Sequence, residues 1–465
     1  MKKNNIARWG ISLAAAAAAL VLLSTRTSPL YPLLMGSYVG NDVSAIMLIA
    51  KYWIAGEIVP YRELFAMGGP LYFLIHAAGW MLGGRTGVLV LQILNLAAFL
   101  MLTGKIARRY AGGKAAVLFS LAALIPYAAL CAGGSSAEEW CLTLSAAALY
   151  LGLTRTECKT TTALILGLLT GCVVMTDLGS AGICLGILAV TVLRKKNTIL
   201  PALAGLILPT ALCWGYFAAM GCGSDFLLGA LVYPVQELTM GFESLNVILH
   251  KCVKVMLVLP AAAAALVLLR RNPRDGLVLL AAALVCGMSL LLGNNRWVYY
   301  LAVLPLLAPA LAVLWSLVRG RLLALGTALV LVLTICAVPA RDYALYLTGG
   351  IPEVYDLFHE DTIEAQKNLG QSPRYMSLDT DSCFFLLLDT RPVNRYFTGV
   401  ATLAQFDAAV GQAVKADLDG AVEADFLLIT ERGFRGQELD NYQMVEVYLK
   451  LGGSLFVYLP VTPNT

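Results

Sequence analysis

Residues 37–84, Ser37 to Gly84, read SYVGNDVSAIMLIAKYWIAGEIVPYRELFAMGGPLYFLIHAAGWMLGG. The stretch follows one hydrophobic run and precedes about ten more, yet it is not itself a clean membrane span. A lone acid, Asp42, opens a run in which Val43, Ile46, Met47, Ile49, Ala50 and Trp53 recur near helical spacing. A turn follows at Val59-Pro60-Tyr61, and a second short amphipathic run, Leu71 to Leu82, ends at Gly83-Gly84. Two helices lying on the membrane surface and joined by a polar turn would form a lid or floor over a membrane-embedded site.

The rest of the chain sets this stretch in a membrane. Of 465 residues 59% are hydrophobic and 13% charged, which excludes an ordinary soluble protein. Basic residues from Lys2 to Arg8 precede an apolar run, Ile11 to Leu23. Ser24-Thr25-Arg26 makes a poor cleavage site, so the run reads as an uncleaved first helix. Apolar segments of about bilayer length fall at 8–24, 87–103, 115–132, 138–153, 161–176, 179–193, 198–219, 247–269, 276–293, 297–318 and 321–339. Asp177-Leu178-Gly179 argues for a break between the fifth and sixth.

Charge orients the array. With a cytoplasmic N-terminus, alternate loops hold Lys105, Arg108, Arg109 and Lys114; Arg155 and Lys159; Arg194 to Lys196; Arg270, Arg271 and Arg274; Arg319 and Arg321. The opposite loops at 131–139, 177–180 and 221–246 hold neither Lys nor Arg. The net charge of +4 is this orientation signal and nothing more. The expectation is a polytopic α-helical protein of the plasma membrane with about eleven spans and an external C-terminus. From Arg341 the composition turns polar, so 1–339 reads as the membrane domain and 340–465 as one extracytoplasmic α/β domain. Its candidate strands are Arg374–Leu378, Asp425–Ile429, Tyr442–Tyr448 and Leu455–Leu459. Helices are expected near 363–369, 382–388 and 403–415, and Gly452-Gly453 suits a hairpin turn.

Asp42, Gly56-Glu57-Ile58-Val59-Pro60-Tyr61-Arg62-Glu63-Leu64-Phe65 and Gly69-Pro70-Leu71-Tyr72 follow one another in an ordered pattern. That pattern resembles the first external loop, here 25–86, of GT-C-type glycosyltransferases that use lipid-phosphate sugars. The resemblance is to the bacterial branch related to protein mannosyltransferases and aminoarabinose transferases. Val43 stands where that family often has a second acid, and Met67-Gly68 where it has a His-Lys pair. Gly133 to Trp140, with Glu138 and Glu139, is similar to the family's second external loop. Gly293 to Tyr300 resembles a later one, and Thr390 to Phe397 resembles a loop of the C-terminal domains.

The resemblance implies a GT-C-like fold and a hexosyl- or pentosyl-transferase. The donor would be a polyprenyl-phosphate sugar and the acceptor a glycan, lipid or protein of the cell envelope. The donor carries its own leaving group, so a base for the acceptor hydroxyl and donors for the departing phosphate suffice. Asp42 is the implied base, and an N-cap of its helix is the plainer role, with Asn41 competing for it. Tyr61, Arg62, Glu138, Glu139, Arg296, Tyr299 and Tyr300 are the implied substrate-binding residues. Arg296 and its aromatic neighbours also fit a snorkelling cation in an aromatic belt. Asp177 reads as a helix cap.

Most of the cysteines lie in apolar runs, and the three histidines are scattered, so neither a disulfide framework nor a zinc site is expected. No cofactor is implied, a divalent metal is left open, and no basic patch suits nucleic acid. Two rival readings stand beside the transferase. One is a transporter or flippase of envelope lipids, which would be expected to show intramembrane charges and repeats, whereas the apolar segments here have almost no ionisable residues in their interiors and show no repeat. The other is a family member without catalysis.

Overall fold

The computed structural model describes residues 10–17, 41–129, 135–155, 159–239, 255–292, 297–315, 372–380, 389–430, 442–450 and 453–460, with the separate positions 326, 364, 382, 385–386 and 439. The chain is mostly helical. Residues 10–17 are helical within the first expected span. Helix α1, Asn41–Ile54, carries the run that begins at Asp42. It does not lie on a surface as expected. Every residue from Val43 to Ala50 is buried, none more than 7% exposed. Its apolar residues crowd most of the circumference, and a helix apolar nearly all round is stable only when enclosed.

Helix α2, Pro70–Ala107, starts on a proline whose fixed φ suits a first helical turn. It is broken at Gly83 (φ 153°) and Gly84 (φ 61°), backbone conformations that side chains disfavour. A Cβ on Gly87 would stand 2.0 Å from the Gly79 carbonyl, so the two limbs double back on each other. The end of the 71–82 run at Gly83-Gly84 is therefore as expected from the sequence.

Beyond it come α3 (Gly113–Leu121, followed by Leu124–Ala129), α4 (Ala137–Thr154), α5 (Thr160–Val174), α6 (Gly182–Arg194), α7 (Ile199–Ala219), α8 (Leu259–Arg271), α9 (Pro273–Leu292) and α10 (Leu304–Trp315). The break at Asp177-Leu178-Gly179 separates α5 from α6. Helices α5 and α7 pack closely, because Gly167 and Gly205 let each backbone touch the other.

Among the described residues three helical stretches are long and apolar enough to cross a membrane: Pro70–Ala107, Lys196–Ala219 and Pro273–Leu292. Shorter apolar helices accompany them, including Thr160–Val174 and Gly179–Arg194. Leu200 (77%), Ile207 (58%) and Leu212 (66%) project outward from α7, an exposed aliphatic face that suits lipid and not water. The eleven expected spans reach past this set, and 321–339 lies outside the described residues apart from position 326.

The C-terminal residues form a four-stranded sheet of order β1-β2-β4-β3 from β1 (Tyr375–Leu378), β2 (Phe426–Thr430), β3 (Tyr442–Lys450) and β4 (Gly453–Pro460). The first pair is parallel and the other two antiparallel. All four strands fall where alternation in the sequence puts them. The expected helix 403–415 is instead two, Val400–Phe406 and Ala408–Ala416. Asp407 ends the first and caps the second, its side chain accepting from the Ala409 N–H. The expected helix near 363–369 lies outside the described residues save position 364.

Helix α1, the Val59–Pro70 loop and this sheet share one apolar cluster, in which Ile46, Tyr61 and Phe65 join Met376, Leu403 and Leu428. The sheet-bearing part is thus packed directly on the loop that carries the family-like motif.

Candidate functional site

The Val59–Pro70 loop is built around Tyr61. Tyr61 takes a left-handed backbone (φ 69°), its N–H donates to the Leu64 carbonyl at 3.0 Å and its hydroxyl to the Gly68 carbonyl at 2.7 Å. The ring meets Phe73, Phe217 and Phe226 edge-on at centroid distances of 5.3, 5.0 and 5.8 Å. It is wholly buried, and that burial pushes the phenol well above its ordinary pKa. Tyr61 is therefore a packing pillar here, with its hydroxyl already committed.

Arg62 points outward. Its Nε donates to Glu63 Oε1 at 2.5 Å and its Nη1 to the Met220 carbonyl at 3.0 Å. Glu63 Oε2 accepts the Val59 N–H at 2.7 Å. Burial raises the Glu63 carboxyl, but the Val59 N–H and the Arg62 guanidinium outweigh it and leave the group below the usual range.

Three segments hold the loop. The Gly68 N–H donates to the Gly229 carbonyl (3.2 Å), the Leu71 N–H to Met175 (3.0 Å) and the Phe65 N–H to Arg395 (2.9 Å). Arg395 Nη2 reaches both the Tyr61 carbonyl and Asp225 Oδ1, each at 2.8 Å. Its guanidinium also stands over the rings of Phe65 (5.8 Å) and Tyr396 (5.1 Å). Gly69 lies so close to the end of α5 that a Cβ there would be 1.9 Å from the Met175 carbonyl.

The loop thereby abuts the turn that carries Asp177. Asp177 Oδ2 accepts the Ser180 N–H at 2.8 Å and the Ser180 hydroxyl at 2.5 Å, the capping geometry expected from the sequence. Burial, opposed by hydrogen bonds from Ser180 and Gly179 and aided by the Glu237 carboxylate, holds the Asp177 carboxyl above the usual range. Glu138 is half-buried in the first turn of α4, and both it and Asp177 lie within electrostatic reach of Cys141.

Glu139 faces the other way, into the helices, and is 2% exposed. Its Oε2 accepts from Gln92 Nε2 at 2.7 Å and the Tyr127 hydroxyl at 2.8 Å, while Asn95 Nδ2 donates to its carbonyl at 2.8 Å. Glu139 anchors α4 to α2. Gln92 and Asn95 went unmarked in the sequence, although two amides three apart in an apolar span were a legible signal.

A second buried clasp joins α2 to the start of α4. His76 Nδ1 lies 2.9 Å from the Tyr72 carbonyl, so it bears the proton, and Nε2 accepts the Ser135 hydroxyl at 3.0 Å. Trp140 Nε1 donates to Ser135 Oγ (3.1 Å) and the Tyr72 hydroxyl to the Ser135 carbonyl (2.9 Å).

Asp42 is the second residue of α1, one turn before Ile46, and its side chain lies outside the described residues. Ile46 Cδ1 would meet a Cβ on Gly68 at 3.9 Å, so the start of α1 stands beside the same loop that abuts Asp177. Arg296 and the side chain of Tyr299 also lie outside the described residues. Tyr300 is 2% exposed within the main apolar core of the helices.

One end of the helical array thus gathers the start of α1, the Pro60–Gly69 loop, Glu138, Asp177 and Glu237. Carboxylates held partly out of water can take a proton from a hydroxyl. Among the described residues no three His, Cys, Asp or Glu side chains stand together as metal ligands.

No family model matches the sequence, and no curated protein matches it by sequence. The fold does have likenesses among solved structures, among them several of the Archaeoglobus fulgidus oligosaccharyltransferase. The structure in complex with Zn and sulfate matches with a TM-score of 0.50 and 15% identity, over 96% of this chain and 73% of that one. The apo form matches with a TM-score of 0.51 and 13% identity, over 91% and 69%. The form tethered with an acceptor peptide containing the NVT sequon gives 0.50 and 14%, over 90% and 68%. The chain has a membrane-helical fold like that of the archaeal oligosaccharyltransferase, in keeping with the GT-C-like fold expected from the sequence.

Proposed function

We propose that the chain is an integral membrane glycosyltransferase of the GT-C class that moves a sugar from a polyprenyl-phosphate donor to an extracytoplasmic acceptor. Asp42 takes the proton of the acceptor hydroxyl as its oxygen bonds to the anomeric carbon. The bond from that carbon to the phosphate oxygen breaks, and the lipid phosphate departs. A single displacement inverts the anomeric centre. Arg296 holds the departing phosphate, and Glu138 and Asp177 line the acceptor side. The chain crosses the plasma membrane about eleven times, with 340–465 outside. The sugar is a hexose or pentose, as in the bacterial transferases that the first external loop resembles.

The observation that carries this reading is the position of one loop. Pro60 to Leu71, the segment most like the lipid-phosphate-sugar transferases, joins the start of α1, the Asp177 turn and Arg395 of the sheet-bearing part. A motif in a merely decorative loop would have no reason to sit at that junction.

Transfer from polyprenyl-phosphate sugars, assayed in membranes, tests the reading. Asp42→Asn keeps size and capping ability, so the protein stays folded while transfer falls by a factor of about 10² or more. Wild-type rates in that variant would move the base to Glu138 or Asp177. Absence of transfer by the wild type from every such donor would sink the enzymatic reading. A reporter fused after Pro339 should lie outside the cytoplasm, and a cytoplasmic location would overturn the orientation.

A further inference from the structure

We infer that the end of the helical array remote from the candidate site carries a binding groove for an anionic glycerophospholipid. The groove runs between the helical residues 10–17, the last turns of α2 and the first turns of α3, and encloses a cavity of about 50 Å³. Ile11, Met101, Val117 and Leu121 supply apolar walls, and Lys105 and Arg108 stand at its mouth. Lys105 lies thirteen residues past Gln92, the residue bonded to Glu139, which is about 20 Å along the helix.

The neighbouring basic residue shows what is unusual about this pair. Arg109 is neutralised by Asp275, whose carboxylate is fully buried and 3.0 Å away, and the Tyr110 hydroxyl donates to the same carboxylate at 2.9 Å. Among the described residues no carboxylate stands within ion-pair distance of Lys105 or Arg108. Two cations with no carboxylate partner among the described residues, lining an apolar groove on an α2 that also exposes Val90 and Leu94, match an acyl chain continuous with a phosphate headgroup. A soluble anion would satisfy the cations and leave the walls empty. Lys105 reaches the headgroup by extending its stem along the groove, as long basic side chains do at a bilayer edge. Arg108 offers a planar fork that fits two phosphate oxygens at once.

The test uses the full-length protein in mixed micelles, with dioleoylphosphatidylglycerol and dioleoylphosphatidylcholine as probes and native mass spectrometry as readout. With about one order of magnitude or a little less per cation at a membrane surface, Lys105→Gln/Arg108→Gln should bind the anionic lipid about 30-fold more weakly. Its retention of phosphatidylcholine should be unchanged. Lys195→Gln/Lys196→Gln, at another exposed basic turn, should bind like the wild type. Val117→Trp keeps both charges and fills the groove, so it too should lose the anionic lipid, which guards against a misfolded double variant. Equal affinity in the Lys105/Arg108 variant, equal loss in the Lys195/Lys196 variant, or displacement of the lipid by inorganic phosphate at matched concentration would each overturn the inference.

Discussion

Arg395 and Asp225 form an ion pair of 2.8 Å across 170 residues of sequence, and the same Arg395 nitrogen donates to the Tyr61 carbonyl. One guanidinium therefore ties the sheet-bearing part to the loop after α7 and to the loop between α1 and α2. The flat cation also covers Phe65 and Tyr396, which shields the pair from water on two sides.

The pair should behave as a unit in a double-mutant cycle. Arg395→Gln and Asp225→Asn should each lower stability by about 1–2 kcal/mol, the range for a half-buried, charge-assisted contact. The double variant should cost clearly less than the two together. Additive losses, measured by denaturation in detergent, would mean that the two residues act separately.

Gly69→Ala should disrupt the junction beside Asp177. The new Cβ would meet the Met175 carbonyl at 1.9 Å, and neither backbone can yield without moving α5 or the start of α2. Overpacking of that kind costs about 1–3 kcal/mol. Gly112→Ala meets nothing within 4 Å and should be near neutral. If both variants melt like the wild type, the Gly69 contact is not a constraint.

Glu139→Gln separates anchoring from chemistry. The amide oxygen can still accept from Gln92 and Tyr127, but without the charge that strengthens both bonds, and an NH2 replaces the other carboxylate oxygen, so stability should fall by about 1–3 kcal/mol. Transfer by the folded fraction should stay close to wild type. A thermally normal variant with abolished transfer would instead make Glu139 part of the reaction.

The raised Asp177 carboxyl gives a pH dependence of definite sign. The native group binds its proton more tightly than in the unfolded chain, so its contribution is fully present below the ordinary Asp value. That contribution is lost as pH rises through the raised native value. Relative to Asp177→Asn, the wild type should therefore lose stability between acid and neutral pH, read from paired melting curves. A difference that grows with pH would show that the Ser180 hydrogen bonds, which favour the charged form, outweigh burial.

Local features settled much of this chain from residue order alone. The long apolar helices between 87 and 315, the break at Gly83-Gly84, the break at Asp177 and the four strands all depend on periodicity or on turn chemistry within a few residues, whereas the helical turns Gly223–Leu227 and Tyr233–Thr239 fall inside the loop expected at 221–246. The membrane character follows from composition in the same way. Partnership across long separations was decided only in three dimensions. The pattern of α1 reports the polarity of its own side chains, and it is the enclosing loop, limb and sheet that turn an expected surface helix into a buried one. Tyr61 carries the motif, yet its role as a pillar depends on Phe217 and Phe226, some 160 residues later. Glu138 and Glu139 are adjacent in sequence, and a helix turns adjacent side chains about 100° apart. That rotation leaves one half-exposed at the site and presses the other against Gln92 and Tyr127, an assignment no reading of the pair alone contains.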